Sequence, residues 1–410
     1  MKDIKGGVVA AKGFKASGIA GGIKKNGKKD MAMIVSEVPA STAIMTTQNM
    51  VKAAPVLWDT EIMAESPYKR AVVVNSGNAN ACTGEKGKED TFKTAQKAAE
   101  LLGIDAREVL ISSTGVIGVP LPMELILAGV EKLVPALGND IANGDDAAHG
   151  IITTDLTTKT VAVEIEIDGK TVHIGGMAKG SGMICPNMAT MLSYVTTDAK
   201  IAPDCLKKML SDITQGTYNM MSVDGDMSTN DTVVVMANGL AGNKEITMDE
   251  LTGEDSIKFA EALHYVNEYL AKSIVRDGEG ATKFVEVEVR GAATKEDARV
   301  LAKAITNSSL VKTALFGEDA NWGRVLSSAG ASGIVFDPLK VSLTFSSNSG
   351  MLTLLNDGLP IPFDEEEAKK ILSERELSIT MVLQEGGEKA TAWGCDLSYD
   401  YVKINGDYRT

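Results

Sequence analysis

The feature that most constrains the fold is a hairpin signal near the middle of the chain. Residues 161–167 alternate apolar and polar side chains, the pair Asp168-Gly169 follows, and the alternation resumes through Ile174. An Asp-Gly pair readily adopts the positive φ angles of a two-residue hairpin turn, so these segments predict two neighbouring antiparallel strands. A similar alternation recurs at residues 285–289. Antiparallel hairpins favour an α+β fold over a doubly wound parallel sheet.

Other segments alternate between short apolar strands and stretches with helical spacing of apolar residues. Strands are predicted at residues 71–74, 109–111, 191–195 and 232–236. Helices are predicted at residues 90–102, 121–137, 203–213, 254–275 and 295–305. We expect Asp90 to be the N-cap of the first of these helices and Gly103 to end it. The pattern therefore predicts mixed α and β structure.

Composition and charge exclude several classes of protein. The 410 residues include 41 basic and 55 acidic side chains, a formal charge of −14, whereas nucleic-acid binding needs a basic surface. Hydrophobic residues make up 44%, which is typical of a globular protein and not of a disordered chain. No stretch approaches the ~18 apolar residues that span a bilayer, and the N-terminal residues lack a secretory signal. We expect a cytoplasmic protein with neither a nucleic-acid nor a membrane partner.

Disulfide and metal chemistry have little basis in the sequence. The four cysteines, Cys82, Cys185, Cys205 and Cys395, form no CxxC pair and fit a reducing compartment. The three histidines show no HExxH spacing, so we expect no metal and no bound cofactor. A GxSxG nucleophile elbow is absent as well, which removes the usual signature of an α/β-hydrolase.

A glycine-rich loop after the hairpin is difficult to explain by structure alone. Residues 175–192 place several glycines, Lys179, a proline and an asparagine before an apolar segment. If the chain were cut before Thr190, the free α-amine of Thr190 would have a pKa of ~8 and could accept the proton of its own hydroxyl. A plain loop before a buried strand fits the same residues, and Cys185 is a competing nucleophile.

Three further loops carry candidate functional groups. In residues 112–120, the Thr114 hydroxyl and the backbone of Gly115 could stabilise an oxyanion, although these residues alone favour a plain strand-to-helix turn. Residues 222–231 are rich in carboxylates and amides but lack the glutamate that completes an EF-hand, which predicts a structured turn. In the loop at residues 276–283, Glu279 could bind a substrate ammonium group.

Several motifs together carry a family resemblance. In chain order they are Asn-Ser-Gly-Asn-Ala-Asn-Ala at 75–81, Ser-Thr-Gly at 113–115, Lys-Gly-Ser-Gly-Met-Ile at 179–184, Pro-Asn-Met-Ala-Thr-Met-Leu at 186–192, Ser-Val-Asp-Gly-Asp at 222–226, Gly-Glu-Gly-Ala-Thr-Lys at 278–283, Asp-Ala-Asn-Trp-Gly-Arg at 319–324, Tyr-Val-Lys-Ile-Asn at 401–405 and Asp-Tyr-Arg-Thr at 407–410. In this order the chain resembles the ornithine acetyltransferases, the glutamate N-acetyltransferase family of arginine biosynthesis. The resemblance favours the N-terminal nucleophile over the plain loop.

The resemblance implies a fold, a processing step and an activity. The fold is a helix/sheet/sheet/helix sandwich like that of aminopeptidase-related N-terminal-nucleophile enzymes. Self-cleavage between Ala189 and Thr190 gives fragments 1–189 and 190–410, which assemble as a heterotetramer of two each. The acetyl group of N2-acetylornithine passes to Thr190 and then to glutamate in a ping-pong reaction. We expect acetyl-CoA to be a second acetyl donor, the alternative being a member that only recycles acetyl groups.

The resemblance also implies the site residues. Thr190 is the nucleophile, and Thr114 with Gly115 forms the oxyanion hole. The positions that line the substrate site are Thr153, Lys179, Thr190, Glu279, Asn405 and Thr410. Thr154 stands beside Thr153, and Asp277 lies close to Glu279, so each pair offers two candidates. The alternative functions are an aminopeptidase on the same fold and a non-catalytic protein that binds amino acids.

Overall fold

A computed structural model describes residues 1–185 and 191–407. The strands in these residues are β1 (Lys2–Ile4), β2 (Phe14–Ile19), β3 (Met31–Thr46), β4 (Tyr68–Asn78), β5 (Val109–Val116), β6 (Lys159–Ile167), β7 (Lys170–Lys179), β8 (Leu192–Thr197), β9 (Thr232–Ala237), β10 (Phe284–Ala292), β11 (Ser342–Ser347), β12 (Gly350–Asn356), β13 (Leu359–Pro360), β14 (Glu376–Val382) and β15 (Glu388–Cys395). The α-helices are α1 (Ala54–Glu65), α2 (Gly84–Leu102), α3 (Met123–Leu133), α4 (Ile141–Ile151), α5 (Pro203–Gly216), α6 (Glu254–Arg276), α7 (Lys295–Asn307), α8 (Ser309–Phe316), α9 (Trp322–Gly330), α10 (Glu365–Leu372) and α11 (Tyr399–Asp407). Across those two ranges, none of the helices has the length and apolar character that crossing a bilayer requires.

The long strand β3 is shared between two sheet layers. Its first half pairs with β2 and β4, and its second half, beyond an irregularity between Val35 and Ala40, pairs with β9 from Ser41 to Thr46. One layer therefore has the order β2-β3-β4-β5, and the other has the order β3-β9-β8-β7-β6-β1. The pairs β4–β5 and β8–β9 are parallel, and the remaining pairs of these layers are antiparallel.

Alternate side chains of the strands point to opposite faces, and both faces are buried. In β9, Val234 and Met236 belong to the core between the two layers, whereas Val233 and Val235 pack in the core that contains α5 and α6. Strand β4 divides its apolar residues in the same way between the inner core and the helices α2 and α3. The layers thus run helix, sheet, sheet, helix, and the predicted α+β class is confirmed.

A separate sheet of six strands, here called the second sheet, follows α6 and lies outside the two layers of the sandwich. Its strand order is β13-β12-β11-β14-β10-β15. Strand β10 pairs parallel to β14 and antiparallel to β15. The apolar side chains of this sheet form one continuous core with those of α5 and α6. Because α6 packs against both β6 and β15, it fixes the second sheet to the sandwich.

The hairpin predicted from Asp168-Gly169 is confirmed. Strands β6 and β7 pair outward from Ile167 opposite Lys170, and the two turn residues have φ angles of 51° and 66°. Positive φ at both turn positions is the geometry of a type I′ hairpin, which matches the right-handed twist of the two strands.

Two helices were predicted with wrong bounds. Helix α2 begins at Gly84, six residues before the predicted N-cap, and Asp90 is buried within the helix, where Lys86 contacts its carboxylate. Gly87 weakens the helical signal, but a Cβ there would lie 1.9 Å from the Thr83 hydroxyl oxygen, so packing requires the glycine. Helix α3 is shorter than predicted, because Pro122 is its N-cap and Leu133 its last residue.

Candidate active site

One cavity gathers residues from the sandwich and from the segments flanking the second sheet. It encloses about 740 Å³ including its open mouth. The predicted site residues on its wall are Thr114, Gly115, Thr153, Lys179, Glu279 and Asn405. Met191 and Leu192, which directly follow Thr190 in the chain, also line it. The remaining predicted residues, Ala189, Thr190 and Thr410, lie outside the residues that the structure describes.

Thr114 and Gly115 lie on a paired strand. The prediction of a loop from residue 112 was wrong for its first part, because β5 continues to Val116. In the parallel pairing with β4, Thr114 is opposite Ser76 and Gly115 is opposite Gly77. Gly115 has a φ of 132°, and a Cβ there would lie 2.3 Å from the carbonyl carbon of Gly77. Only glycine permits this approach of the two backbones, which fixes both residues relative to the sheet.

Lys179 connects the end of β7 to Thr114. Its side chain is buried, and its Nζ donates a hydrogen bond to Thr114 Oγ1 at 3.3 Å. Burial lowers the pKa of Lys179, and the nearby carboxylates of Asp155, Asp231 and Glu279 act in the opposite direction. Because the Thr114 oxygen accepts from the ammonium group, the hydroxyl proton of Thr114 is available to donate into the cavity.

Asp155 holds two of the cavity segments by their backbones. Its Oδ1 accepts hydrogen bonds from Lys159 Nζ at 2.6 Å and from the Gly180 N–H at 2.7 Å, and its Oδ2 accepts from the Thr153 N–H at 3.0 Å. Burial alone would raise the pKa of Asp155, but Lys179 and Lys159 outweigh it and lower the pKa to about 2. The carboxylate is therefore ionised at neutral pH and oriented towards three donors.

Both Thr153 and Thr154 line the cavity. The hydroxyls of Thr154 and Ser181 share a hydrogen bond of 2.7 Å. Within the described part of the chain, the Thr153 hydroxyl makes no comparable hydrogen bond. The geometry therefore favours Thr153 over Thr154 as the hydroxyl that faces a ligand.

Glu279 and Asp277 point in different directions. Glu279 lies on the cavity wall, its carboxylate accepts a hydrogen bond from Asn405 Nδ2 at 2.9 Å, and its backbone N–H donates to the Ser181 carbonyl at 2.8 Å. A Cβ on Gly182 would lie 2.3 Å from Glu279 Oε2, so this glycine makes room for the carboxylate. Asp277 instead accepts from Lys159 Nζ at 2.6 Å. The geometry therefore places Glu279 in the cavity.

The C-terminal helix α11 reaches the cavity through a close contact with the loop of Glu279. Gly280 has a φ of 68°, and a Cβ there would lie 2.4 Å from the Tyr401 backbone nitrogen. The Tyr401 hydroxyl donates to Asp224 Oδ2 at 3.3 Å. These contacts bring Asn405 to the cavity although its side chain is exposed.

Several residues on or beside the wall were not predicted as site residues. Ser228, Thr229, Asn230 and Asp231 line the cavity, and Asn230 Nδ2 donates to the carbonyls of Ala79 at 2.5 Å and Ser113 at 2.9 Å. The dense carboxylates and amides of residues 222–231 were the available signal. The predicted structured turn agrees with the structure, where the Asp226 N–H donates to Asp224 Oδ1 at 3.3 Å, Gly225 has a φ of 84°, and β9 begins at Thr232.

Asp224 orients the loop that leads to the predicted cleavage site. Its carboxylate accepts from the backbone N–H groups of Met183 at 2.6 Å and Ile184 at 2.8 Å. Cys185 follows directly, and its sulfur lies 3.4 Å from Asn307 Nδ2. Among the described residues on the cavity wall Cys185 does not appear, which disfavours it as the nucleophile.

Comparison with known proteins identifies the family of the chain. The ArgJ family model matches residues 15–410. The arginine biosynthesis bifunctional protein ArgJ of Caldanaerobacter subterraneus subsp. tengcongensis is 54% identical over 410 residues, with 100% of both chains covered. That of Symbiobacterium thermophilum is 52% identical over 413 residues, again with 100% of both covered. The crystal structure of ArgJ from Bacillus halodurans is 47% identical with a TM-score of 0.51, covering 53% of this chain and 100% of that chain.

The family match contains all the ordered motifs, which run from residue 75 to residue 410. The prediction of an acetyltransferase of arginine biosynthesis is confirmed, and neither the aminopeptidase nor the non-catalytic alternative is favoured. The chain belongs to the ArgJ family of arginine biosynthesis enzymes.

Proposed function

We propose that the chain transfers the acetyl group of N2-acetylornithine to glutamate through an acetyl ester on Thr190. The observation that carries this proposal is the convergence of Thr114, Gly115, Lys179 and Glu279 on one cavity whose wall includes Met191. An N-terminal Thr190 would begin the chain directly before that wall residue. The proposal combines an oxyanion site, a cation and an anion, which are the groups that acyl transfer between two amino acids requires.

The first half-reaction forms the acetyl ester. The Thr190 hydroxyl attacks the acetyl carbonyl carbon while its α-amine takes the hydroxyl proton. The negative charge that develops on the carbonyl oxygen is stabilised by Thr114 and Gly115, where one donor contributes on the order of 3 kcal/mol. The C–N bond then breaks, and ornithine leaves as an amine after receiving the proton from the α-ammonium group.

The second half-reaction regenerates the threonine. The α-amine of glutamate attacks the ester carbonyl and gives one proton to the α-amine of Thr190, while the same oxyanion site stabilises the second tetrahedral intermediate. The ester C–O bond then breaks, N-acetylglutamate leaves, and the Thr190 oxygen takes that proton back. Both substrates carry a carboxylate and an amine. The Lys179 ammonium is suited to pair with the carboxylate, and Glu279, oriented by Asn405, with an ammonium group. The Thr153 hydroxyl adds a further polar contact, and Thr410 is proposed to reach the substrate from the C-terminus.

The proposal includes self-cleavage between Ala189 and Thr190 into fragments 1–189 and 190–410. Strands β7 and β8 pair across the proposed cut, from Lys179 opposite Leu192 to Ile174 opposite Thr197, so the fragments would stay together. The fragment from Thr190 would contain 410 − 189 = 221 residues, or 54% of the chain, close to the 53% that the complete Bacillus halodurans chain covers. The heterotetramer of two fragment pairs and a cytoplasmic location stay predictions.

Acetyl-CoA is proposed as a second acetyl donor to Thr190. The curated relatives are named bifunctional proteins, which supports a second activity beside the exchange between ornithine and glutamate. Acetyl-CoA would enter as a co-substrate and leave as free CoA, with no resident cofactor. Incubation of the protein with labelled acetyl-CoA and glutamate, without N-acetylornithine, should yield labelled N-acetylglutamate if this donor is used, and none if the enzyme only recycles acetyl groups.

The exchange of labelled acetyl groups between ornithine and glutamate tests the main proposal. The unmodified chain should exchange label, and Thr190→Ala should abolish exchange because the ester can no longer form. Thr171→Ala, at an exposed position of β7, is the matched control and should exchange label at the normal rate. Exchange by Thr190→Ala would show that another group carries the acetyl.

A further inference from the structure

A buried lysine outside the cavity lies between two carboxylates. Lys159, the first residue of β6, has a side chain that is 1% exposed. Its Nζ is 2.6 Å from Asp155 Oδ1 and 2.6 Å from Asp277 Oδ2, and it also donates to the Thr157 carbonyl at 3.2 Å. The three donors of this ammonium group therefore have partners, two of them buried charges.

Each of the two carboxylates accepts hydrogen bonds from backbone N–H groups in or next to the segments of the cavity wall. Asp155 accepts from the backbone N–H groups of Thr153 and Gly180, the latter being the neighbour of Lys179. Asp277 lies two residues before Glu279 and accepts from the N–H groups of Leu156 at 3.1 Å and Thr157 at 3.3 Å. One ammonium group thus connects three segments, and each of them carries a residue of the cavity wall.

We propose that Lys159 is a positioning residue of the acetyl-transfer site. Through its ion pairs with Asp155 and Asp277, Lys159 fixes the distances between Thr153, Lys179 and Glu279. This inference rests on the proposed function for the identity of the substrate. Lys159 and Asp155 precede the proposed cleavage site and Asp277 follows it, so the same ion pair connects the two proposed fragments. Lys159 acts through its neighbours, because it is not part of the described cavity wall.

Charge balance explains why an apolar side chain could not replace Lys159. Lys159 pairs with two anions, Asp155 and Asp277, and Lys179 is a second cation that acts on Asp155. Removing one partner of a buried ion pair leaves a charge that neither water nor a counterion compensates. In Lys159→Met, the two carboxylates would repel each other, and the loop of Asp277 would move away with Glu279.

The test compares Lys159→Met with the double variant Lys159→Met/Asp277→Asn, which restores the balance of one cation and one anion. The control is Lys69→Met, because Lys69 is equally buried on β4 but, within the described part of the chain, donates hydrogen bonds only to the carbonyls of Ile62 and Ser66, both at 2.9 Å. For each protein the Kd of N-acetylornithine is measured by calorimetry, KM and kcat by acetyl exchange, and Tm by thermal unfolding.

We expect Lys159→Met to raise Kd and KM on the order of 10- to 100-fold, with a smaller change in kcat, because the wall residues are displaced from the substrate. The double variant should recover part of this loss. Lys69→Met should lower Tm and leave Kd unchanged. An unchanged Kd in Lys159→Met, or an equal rise of Kd in Lys69→Met, would overturn the positioning role.

Two further outcomes keep the test decisive. If Lys159→Met fails to fold, Asp277→Asn alone retains the pair between Lys159 and Asp155 and should still weaken binding, whereas unchanged binding would overturn the inference. If the unmodified protein binds N-acetylornithine without exchanging acetyl groups, the proposed function fails. The comparison of Kd values would then still decide the role of Lys159.

Discussion

The cavity has two walls that are held in different ways. Thr114, Gly115 and Lys179 lie on β5 and β7, where pairing with neighbouring strands fixes their backbones. Glu279 and Asn405 lie on a loop and on α11, outside both sheets, and within Tyr399–Asp407 none of the residues of this helix is buried. The first wall is part of the sandwich, whereas the second depends on a small number of side-chain and backbone contacts.

This difference indicates that the two walls have different roles in the proposed reaction. Stabilising a tetrahedral oxyanion requires donors at fixed positions, and paired strands provide them. Recognising a charged amino acid tolerates more movement, because a carboxylate and an ammonium group attract over a wider range of distances than a hydrogen bond does. Substitutions of the oxyanion residues Thr114 and Gly115 should therefore reduce kcat, and substitutions of Glu279 and Asn405 in the loop wall should mainly raise KM.

Among substitutions in the two walls, the largest effect is expected from Thr114→Ala in the strand wall. Losing one donor to the oxyanion should lower kcat on the order of 10²- to 10³-fold, or about 3 kcal/mol. The β4–β5 pairing uses the backbone, so the circular dichroism spectrum and Tm should change little. Loss of folding would instead give Thr114 a structural role, and an unchanged kcat would contradict the oxyanion assignment.

Acid should destabilise the strand wall through Asp155. Its pKa of about 2 in the folded state is below the value of ~3.9 in an unfolded chain, which corresponds to ~2–3 kcal/mol of stabilisation. Because the folded-state pKa is the lower one, this stabilisation is complete above pH ~4 and is lost as the pH falls through 2.

Urea unfolding at pH 6 and pH 3 measures the contribution of Asp155. The unmodified protein should lose about 1 kcal/mol more between these pH values than Asp155→Asn does. Asp400→Asn, which removes an exposed carboxylate from α11, should keep the acid sensitivity of the unmodified protein. Equal pH dependence in the unmodified protein and Asp155→Asn would contradict the ion cluster.

The loop wall should respond to Gly280→Ala. The new Cβ would approach the Tyr401 backbone nitrogen and push α11 away from the cavity, so KM should rise on the order of 10-fold while kcat changes less. Gly103→Ala is the matched control, because Gly103 has the same φ of 68° but nothing within 4 Å of the new Cβ. A loss of kcat as large as that of Thr114→Ala would remove the distinction between the two walls.

The smallest effect is expected from Asn405→Ala. The variant removes the hydrogen bond to Glu279 from an exposed helix, and about 0.5–1.5 kcal/mol of lost interaction would raise KM a few-fold. Lys403→Ala, an exposed change on the same helix, should leave KM as it is. Steady-state kinetics with both substrates measure the difference, and an equal KM in both variants would show that Asn405 does not orient Glu279.

Local signals in the sequence predicted much of the fold. The Asp168-Gly169 turn predicted its hairpin because both residues accept positive φ angles, a property of the residues themselves. The start of α2 was missed because Gly87 is a poor helix former. A glycine is needed at this position because a Cβ would clash with the side chains of Thr83 and Asn80. The extension of β5 was missed because its last residues are ordered by β4 and not by their own preference.

The site was predicted unevenly for a similar reason. Ordered motifs were sufficient to select Thr114, Lys179 and Glu279, which the fold brings to one cavity. No local pattern could predict that Lys159 pairs with Asp277, because 118 residues separate the two. A buried, paired lysine also looks the same in the sequence as a lysine on an exposed surface. The assignments of Thr190 and Thr410 stay predictions.

Intact mass measurement of the purified protein under denaturing conditions, before and after incubation with N-acetylornithine, tests the central claim most directly. We predict two fragments, of which the larger begins at Thr190 and becomes heavier by one acetyl group after the incubation. N-terminal sequencing identifies the first residue of that fragment. A single uncut chain of 43.2 kDa, or an acetyl group carried by the fragment that ends at Ala189, would contradict the account.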